Sequence, residues 1–364
     1  MGNVTNEELR SVTVTHAHQQ EASISVARTI ASLLATAFFT CSTVVFPSIA
    51  RADLLAAQDS CVVIDTDFDI DDMMAIPMVI GSRHVAAIVT TEGYTLPPIG
   101  ASAVNRLVAE PDQRALPIIV GAGIGRPEPE IADVFGSYVL RYRAIMSRLN
   151  NFLPTALPPT PREEDYARQV ADATADCREV DVLLLAALTS FVSYSPLIRQ
   201  KINRIVIMGK PPEGDRTEEP GAYSFNCKYD LLSCEKVFHD QLPGLNHTYV
   251  DVPYSRCDAT PNKPGCQGIV FGPTLAMATA LESTGLPNTL KQILLNDAHT
   301  WALDTWEESN IGDRFSLLWD QSAALELLDP SLFGPVGGHV ETVLSPDDLR
   351  NTWAQFTNRV TVYR

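Results

Sequence analysis

Short, almost entirely apolar runs alternate with segments of helical periodicity beyond residue 60. The runs are CVVID (61–65), VAAIVTT (85–91), LPIIVGA (116–122), VDVLLLAAL (180–188), INRIVIMG (202–209) and HTYVDV (247–252). Continuous apolarity in short β-branched runs is typical of strands that are buried on both faces of a parallel sheet. Apolar residues at spacings of three and four predict helices over 102–110, 163–177 and 197–205.

This alternation predicts an α/β fold, with an open, mostly parallel, Rossmann-like sheet and helices on both faces. In such sheets, ligands bind where loops converge at the carboxyl ends of the strands. Two Pro-rich segments, 151–162 and 210–221, are predicted loops rather than domain linkers, because strands of the same sheet flank both. We therefore predict one domain over residues 58–364.

The N-terminal segment has the features of an export signal. Residues 29–50 are apolar or small and carry no charge, Arg28 precedes them, and ARA (50–52) is similar to a small-x-small cleavage site. This favours a cleaved leader over residues 1–52 and a secreted or periplasmic protein. The apolar run is also long enough for a single membrane anchor, so anchoring through an uncleaved segment is the alternative.

Cysteine usage fits export. Of seven cysteines, cleavage near residue 52 would remove Cys41 and leave an even number. Cys257 and Cys266 bracket a turn-rich loop that a disulfide could close in an oxidising compartment, and Cys227 and Cys234 are a second candidate pair. Six separate thiols are the alternative, and the sequence alone does not fix the connectivity.

Composition narrows the class of partner. The chain has 364 residues, of which 45% are hydrophobic and 20% are charged, which is typical of a globular protein with a sizeable core. Its 44 acidic and 27 basic residues give a net charge of −17. This charge argues against nucleic acid as a partner and suits a soluble, self-repelling surface. Assembly into a homo-oligomer is left open.

An acidic turn follows the first predicted strand. VVIDTDFDIDD (62–72) places five aspartates in eight positions, and its last two open a predicted helix. Acidic residues near a helix N-terminus gain only about 0.3–1 kcal/mol each, which accounts for one or two of them. A carboxylate cluster at the ligand end of a strand is stable when a hard divalent cation, Ca²⁺ or Mg²⁺, neutralises it. The alternative is a solvated acidic turn.

Several motifs resemble one family. DTDFDIDD resembles the D-x-D-x-x-x-D-D signature of the inosine-uridine-type nucleoside hydrolases. Four further segments are similar to family motifs in the same order: LLLAALTSFVSYSPLI (183–198), IVIMG (205–209), SFNCKYD (224–230) and WDQSAALELLDP (319–330). The resemblance implies the nucleoside hydrolase fold. It also implies Ca²⁺-dependent hydrolysis of the N-glycosidic bond of a small-molecule nucleoside, giving ribose and free base.

The resemblance also implies a role for individual residues. The implied Ca²⁺ ligands are the carboxylates of Asp67, Asp72 and Asp320 and the backbone carbonyl of Thr189. Asp71 would accept a hydrogen bond from the ribose 2′-hydroxyl, and Asn226 would bind the 3′-hydroxyl. Asp65 would support the loop. Asp67 could also act as general base towards the attacking water, in a reaction with oxocarbenium character.

The chain departs from the family pattern at several positions. Ser224 stands where the family has Glu, an upstream family Asn has no counterpart, and Tyr94 lies close to the place of an early Asn. Trp319 replaces a His that is linked to protonation of the leaving base. An aromatic residue there resembles the purine-preferring branch, in which stacking on the base favours its protonation; simple packing is the alternative.

Two alternatives to a hydrolase are a binding protein without turnover and a phosphotransferase. The departures motivate a catalytically degenerate, metal-containing nucleoside- or sugar-binding protein. DTDFD also echoes the D-x-D-x-[TV] motif of haloacid dehalogenase-type phosphotransferases, but Asp69 occupies the Thr/Val position and the other motifs go unexplained.

Other conspicuous residues are predicted to play no part in a metal or phosphate site. GAGIGRP (121–127) lacks the frame of a phosphate loop. Four histidines without partners at metal spacing are expected at ordinary positions: His239, His247, His299 and His339. His299 and Trp301 fall in the region where the family's late helices approach the base.

Overall fold

A computed structural model describes residues 60–108, 116–136, 139–140, 143, 163–212, 224–253, 271–295 and 318–359. All of them belong to one compact unit, Ser48–Arg364. The apolar segment 29–50, the Cys257–Cys266 pair, His299 and Trp301 lie outside the described residues. None of the described helices combines the length and apolarity that crossing a bilayer requires.

The described strands form a single eight-stranded sheet in the order β3-β2-β1-β4-β5-β6-β8-β7. They are β1 (Ser60–Thr66), β2 (His84–Thr90), β3 (Ile118–Val120), β4 (Glu179–Leu184), β5 (Ile202–Met208), β6 (His247–Asp251), β7 (Phe333–Val336) and β8 (His339–Thr342). All neighbouring strands pair in parallel except β7 and β8. The predicted open, mostly parallel sheet is confirmed.

Strand order reverses next to β1. The chain adds β2 and β3 on one side of β1, then returns to add β4, β5 and β6 on the other. The loops that leave β1 and β4 therefore diverge and open a crevice at the carboxyl ends of these two strands, which is where open α/β sheets bind ligands.

Helices cover both faces of the sheet. The longer ones are α1 (Ile70–Ile80), α2 (Pro97–Leu107), α3 (Glu128–Phe135), α4 (Glu163–Ala173), α5 (Thr189–Ile198), α9 (Gly285–Leu295), α10 (Trp319–Leu328) and α11 (Pro346–Thr357), and the short ones are α6 (Phe225–Tyr229), α7 (Leu231–Lys236) and α8 (Leu275–Thr279). Ile64 of β1 packs into one apolar core with α1 and α10, while its neighbour Val63 packs into a second core with α4 and α5. Burial of successive side chains on opposite faces explains why the strands are apolar throughout.

One predicted helix is wrong. The segment 197–205 is not a single helix, because α5 ends at Ile198, a 3₁₀ turn spans Arg199–Lys201, and β5 begins at Ile202. The apolar spacing that suggested a helix joins the end of one element to the start of the next. β-branched residues of β5 instead fill the sheet between β4 and β6.

Two disulfides join described residues. The short disulfide (Cys227–Cys234) links α6 to α7, and it is one of the two pairs that the sequence suggested. The long disulfide (Cys61–Cys177) was not predicted. It ties the start of β1 to the residues just before β4, across a sequence separation of 116.

Candidate active site

The turn from β1 into α1 carries the aspartates into the protein interior. Phe68 adopts a positive φ of 49°, a conformation that few residues other than glycine accept, and this reverses the chain after Asp67. Asp69 caps α1 by accepting from Ile70 N at 2.6 Å, and Asp72 reciprocates by accepting from Asp69 N at 2.9 Å. This capping box accounts for two of the five carboxylates in ordinary structural terms.

A carboxylate from the distant C-terminal part of the chain completes the cluster. Asp320 lies in the first turn of α10, which packs against α1. Asp71, Asp72 and Asp320 each place one carboxylate oxygen so that all three atoms lie within 4.8 Å of one another. Asp67 lies close enough to raise the pKa values of Asp71, Asp72 and Asp320 by charge repulsion, so the four predicted acidic site residues come together.

Burial and mutual repulsion disfavour full ionisation of this cluster. Desolvation, and then the negative charge of Asp67, raise the pKa of Asp71 to about 7. Desolvation, and then repulsion from neighbouring carboxylates, places the pKa values of Asp72 and Asp320 well above their ordinary value. A hard divalent cation would remove this penalty, and carboxylate oxygens are the ligands that Ca²⁺ and Mg²⁺ prefer. The residues therefore fit such an ion.

Asp67 is held by the 93–95 loop. Tyr94 N donates to Asp67 Oδ2 at 2.7 Å, and Thr95 donates to the backbone carbonyl of Asp67 through its amide and its hydroxyl. Gly93 leaves no room for a side chain, because a Cβ there would lie 2.0 Å from Asp67 Oδ2. The loop thus fixes both the position and the rotation of this carboxyl group.

Asp65, near the end of β1, is held by two side-chain hydrogen bonds. Its carboxylate accepts from Thr91 Oγ1 at 2.5 Å and from Tyr194 Oη at 3.2 Å. Burial raises the pKa of Asp65 to about 7, although both hydrogen bonds oppose the rise. This is the loop-supporting position that the resemblance implies for Asp65.

The opposite wall of the crevice comes from β4, α5 and α6. Thr189 is the first residue of α5, and its hydroxyl donates to Asp230 Oδ2 at 2.7 Å. Asn226 Nδ2 donates to Leu185 O at 2.6 Å, so its amide is tied to the end of β4. Ser224 caps α6 by accepting from Cys227 N at 3.3 Å, and its side chain serves the helix.

Trp319 begins α10, directly before Asp320. Its side chain is half-buried and packs against the apolar core shared by α1 and α10. The packing role considered for Trp319 is therefore at least part of its function.

The glycine-rich 121–127 loop binds an anion supplied by the protein itself. Glu92 Oε2 accepts from Ile124 N at 2.6 Å and from Gly125 N at 2.7 Å. Gly125 has a φ of 68°, which turns its amide towards the carboxylate. The loop was not expected to bind phosphate, and in the structure two of its amides donate to Glu92 instead.

Sequence reasoning missed the residues that surround this carboxylate. Arg143 Nη2 lies 3.8 Å from Glu92 Oε1, and Tyr229 Oη donates to the same oxygen at 3.0 Å. Tyr94 stacks on Phe225 with ring centroids 4.5 Å apart. These contacts join segments that carry no shared motif, so the sequence offered a signal only at Tyr94 and at the motif positions of Phe225 and Tyr229.

Two of the histidines lie in ordinary structural settings, as expected. His339 Nε2 lies 3.2 Å from Glu341 Oε1. His247 Nδ1 lies 2.9 Å from Leu245 O. Neither contact involves the aspartate cluster.

Comparison with known proteins points to one family. The family model described as inosine-uridine preferring nucleoside hydrolase matches residues 62–361. Among curated proteins, no sequence matches.

Solved structures share the fold. A plant nucleoside hydrolase, PpNRh1, is 18% identical with a TM-score of 0.55, over 82% of this chain and 99% of that chain. The inosine-uridine preferring nucleoside hydrolase of Bacillus anthracis is 12% identical with a TM-score of 0.52, over 83% of this chain and 100% of that chain. The effector protein XOO4466 is 14% identical with a TM-score of 0.54, over 85% and 97%. At these identities the likeness concerns the fold alone.

Proposed function

The chain belongs to the inosine-uridine preferring nucleoside hydrolase family, and we propose that it hydrolyses the N-glycosidic bond of ribonucleosides, purine nucleosides in preference, to ribose and free base. The observation that carries the proposal is the convergence of Asp71, Asp72 and Asp320 at the carboxyl ends of β1 and β4. A buried acidic cluster at the strand-order reversal is suited to hold both a cation and a sugar diol, which supports the proposal.

The proposed Ca²⁺ ligands are Asp67, Asp72, Asp320 and the backbone carbonyl of Thr189. Bound there, the ion would supply charge that polarises the attacking water and orients the sugar diol. Asp71 belongs to the same cluster, and its carboxylate is proposed to accept from the ribose 2′-hydroxyl. Asn226, whose amide is tied to Leu185 O, is proposed to bind the 3′-hydroxyl.

Asp67 is the proposed general base. Desolvation raises the pKa of Asp67 above its ordinary value, whereas a bound Ca²⁺ would lower it again and keep the carboxylate ionised and able to accept a proton. The hydrogen bond from Tyr94 N leaves the rotation of the carboxyl group fixed, so a proton from the attacking water has a defined acceptor. As the N-glycosidic bond breaks, the anionic cluster would stabilise positive charge on the sugar.

Trp319 is proposed to favour purines. A purine leaves readily once N7 is protonated, and the electron-rich face of an indole stabilises a cationic ring by about 0.5–2 kcal/mol. Pyrimidines have no N7 and less ring area, so they should gain less. The position of Trp319 beside the proposed Ca²⁺ ligand Asp320 supports this role, and its side chain also packs against the core.

The test is turnover of inosine, guanosine, uridine and cytidine by the mature chain, with Ca²⁺ and with a chelator. Inosine or guanosine should be cleaved faster than uridine, and the chelator should abolish turnover. Trp319→Ala should lower kcat more than it raises KM, and Trp319→Phe, which keeps a ring, should lose less. Equal or faster uridine turnover would refute the purine preference, and an unchanged kcat in Trp319→Ala would leave the residue a packing role only.

A binding protein without turnover is the second candidate. It is favoured by one observation: Ser224 stands in place of the family Glu and is engaged in capping α6. If no nucleoside is cleaved with Ca²⁺ present, while titration calorimetry still detects nucleoside binding, this candidate replaces the hydrolase.

We also propose that the protein is exported. The two disulfides support an oxidising compartment. Mass spectrometry of protein from the native host should find a mature N-terminus near Asp53 and a bond between Cys257 and Cys266. An intact N-terminus in the membrane fraction would favour the anchored form instead, and free thiols at both positions would refute that disulfide.

A further inference from the structure

One buried arginine faces the far side of the loop that holds Asp67. Arg143 is 8% exposed, and its guanidinium donates to the loop twice: Nη2 to Gly93 O at 2.7 Å and Nε to Tyr94 O at 3.2 Å. A planar guanidinium with donors in a fixed fork is suited to two neighbouring carbonyls, which the single ammonium of lysine is not.

One peptide group of the loop contacts both Arg143 and Asp67. Gly93 O and Tyr94 N belong to the same peptide unit, and in a trans peptide the carbonyl and the N–H point to opposite sides. Arg143 therefore donates to one end of this unit while the other end donates to Asp67 Oδ2 at 2.7 Å. A cation on the carbonyl polarises the peptide and strengthens its N–H as a donor.

Arg143 is itself fixed by a second set of contacts. Its Nη2 donates to Tyr229 Oη at 3.0 Å, and Tyr229 Oη donates onward to Glu92 Oε1 at 3.0 Å. Glu92 is immobilised in turn by the amides of Ile124 and Gly125. The guanidinium is thus held by contacts other than its hydrogen bonds to the loop, which suits it to support the loop.

We propose that Arg143 is a positioning residue for the reaction, holding the Gly93–Tyr94 peptide so that its N–H sets the orientation of the Asp67 carboxylate. The inference rests on the proposed function in so far as it assigns a rate effect. The competing view is that Arg143 only neutralises the buried charge of Glu92.

Three variants separate these views. Arg143→Met removes charge and fork together, Arg143→Lys keeps a charge near Glu92 but cannot hold both carbonyls, and Arg126→Met is the matched control. Arg126 donates to Tyr229 O at 2.8 Å and lies over the rings of Phe135 and Tyr229, without a described hydrogen bond to the 93–95 loop. The readouts are kcat and KM for inosine, hydrogen exchange of the Tyr94 amide, and the unfolding midpoint.

We expect Arg143→Met to lower kcat by about 100-fold with a small change in KM, because a displacement of about 1 Å at a reacting group costs rates of this order. The Tyr94 amide should exchange faster in Arg143→Met and Arg143→Lys, while amides of β4 and β5 stay protected. In kcat and in Tyr94 amide exchange, Arg143→Lys should lie closer to Arg143→Met than to wild type. Arg126→Met should match wild type in these two quantities.

Unchanged Tyr94 exchange in a folded Arg143→Lys protein overturns the inference, as does wild-type kcat in that variant. If Arg143→Met does not fold, Arg143→Lys decides alone. If the wild-type protein cleaves no nucleoside, the proposed function fails, whereas the exchange comparison between Arg143→Lys and wild type still tests the positioning of the loop.

Discussion

A single methyl group at position 93 should disable the proposed base. In Gly93→Ala, the new Cβ would lie 2.0 Å from Asp67 Oδ2, whereas ordinary contacts begin near 3.4 Å. Gly93 is not among the glycines with positive φ, so the substitution strains the contact rather than the local backbone. The carboxylate or the loop must then move by about 1 Å or more, and such a displacement of a catalytic group costs about 100-fold in rate, or about 2.7 kcal/mol of activation free energy.

The assay is steady-state turnover of inosine with Ca²⁺, accompanied by a urea unfolding curve for each variant. Gly123→Ala is the matched control, because a Cβ there would lie 3.6 Å from Glu92 Oε2, an ordinary contact. We expect kcat of Gly93→Ala to fall by about 100-fold with KM nearly unchanged, and Gly123→Ala to stay within about twofold of wild type. A folded Gly93→Ala protein with wild-type kcat would show that the orientation of Asp67 does not matter for the reaction.

Three further predictions concern the ion, the disulfides and pH. Asp72→Asn should abolish Ca²⁺ binding in titration calorimetry; retained affinity would remove Asp72 from the ligand set. Replacing both cysteines of the long disulfide by alanine should destabilise the protein by about 2.5 kcal/mol more than the same change in the short one, because the bridges close loops of 116 and 7 residues; equal urea midpoints would contradict this. Burial raises the pKa of Asp251 from 3.8 to about 6, so the folded protein holds a proton that the unfolded chain releases, and stability falls as pH rises through that window. As pH rises from 4 to 7, the free energy of unfolding of Asp251→Asn should therefore increase by about 2–3 kcal/mol relative to that of wild type, as measured by urea titration. A difference between the two proteins that does not change with pH would argue against the raised pKa.

Features that recur or cluster along the chain, namely the apolar strands and the acidic turn, could be predicted from the sequence. The strands were predictable because burial on both faces demands continuous apolar runs, as Val62, Val63 and Ile64 show. The acidic turn was visible because five carboxylates stand close together in one short segment. The late Asp320 carried no such local signal, and only its resemblance to a family motif connected it to the turn.

Contacts between isolated residues could not be predicted in this way. Arg143 and Glu92 come together only in the folded protein. Neither residue belongs to a periodic pattern, and neither has its contact partner nearby in the sequence. Cys61 and Cys177 pair because β1 and β4 are neighbours in the sheet, which is a fact of strand order. The helix predicted over 197–205 failed because a periodicity of four residues can also arise across the boundary between a helix and a strand.

The long disulfide also has a consequence for how fast the chain folds. It connects the start of β1 to the residues before β4, and these two strands form the parallel pair at which the strand order reverses. Parallel pairing of distant segments is slow, because a long loop must close before the contacts that reward it can form. Once the bridge exists, that closure has already been made, so the oxidised chain should begin refolding with β1 and β4 tethered to each other. The bond that favours this pairing lies at the amino ends of the strands, far from the carboxyl ends where the aspartates gather.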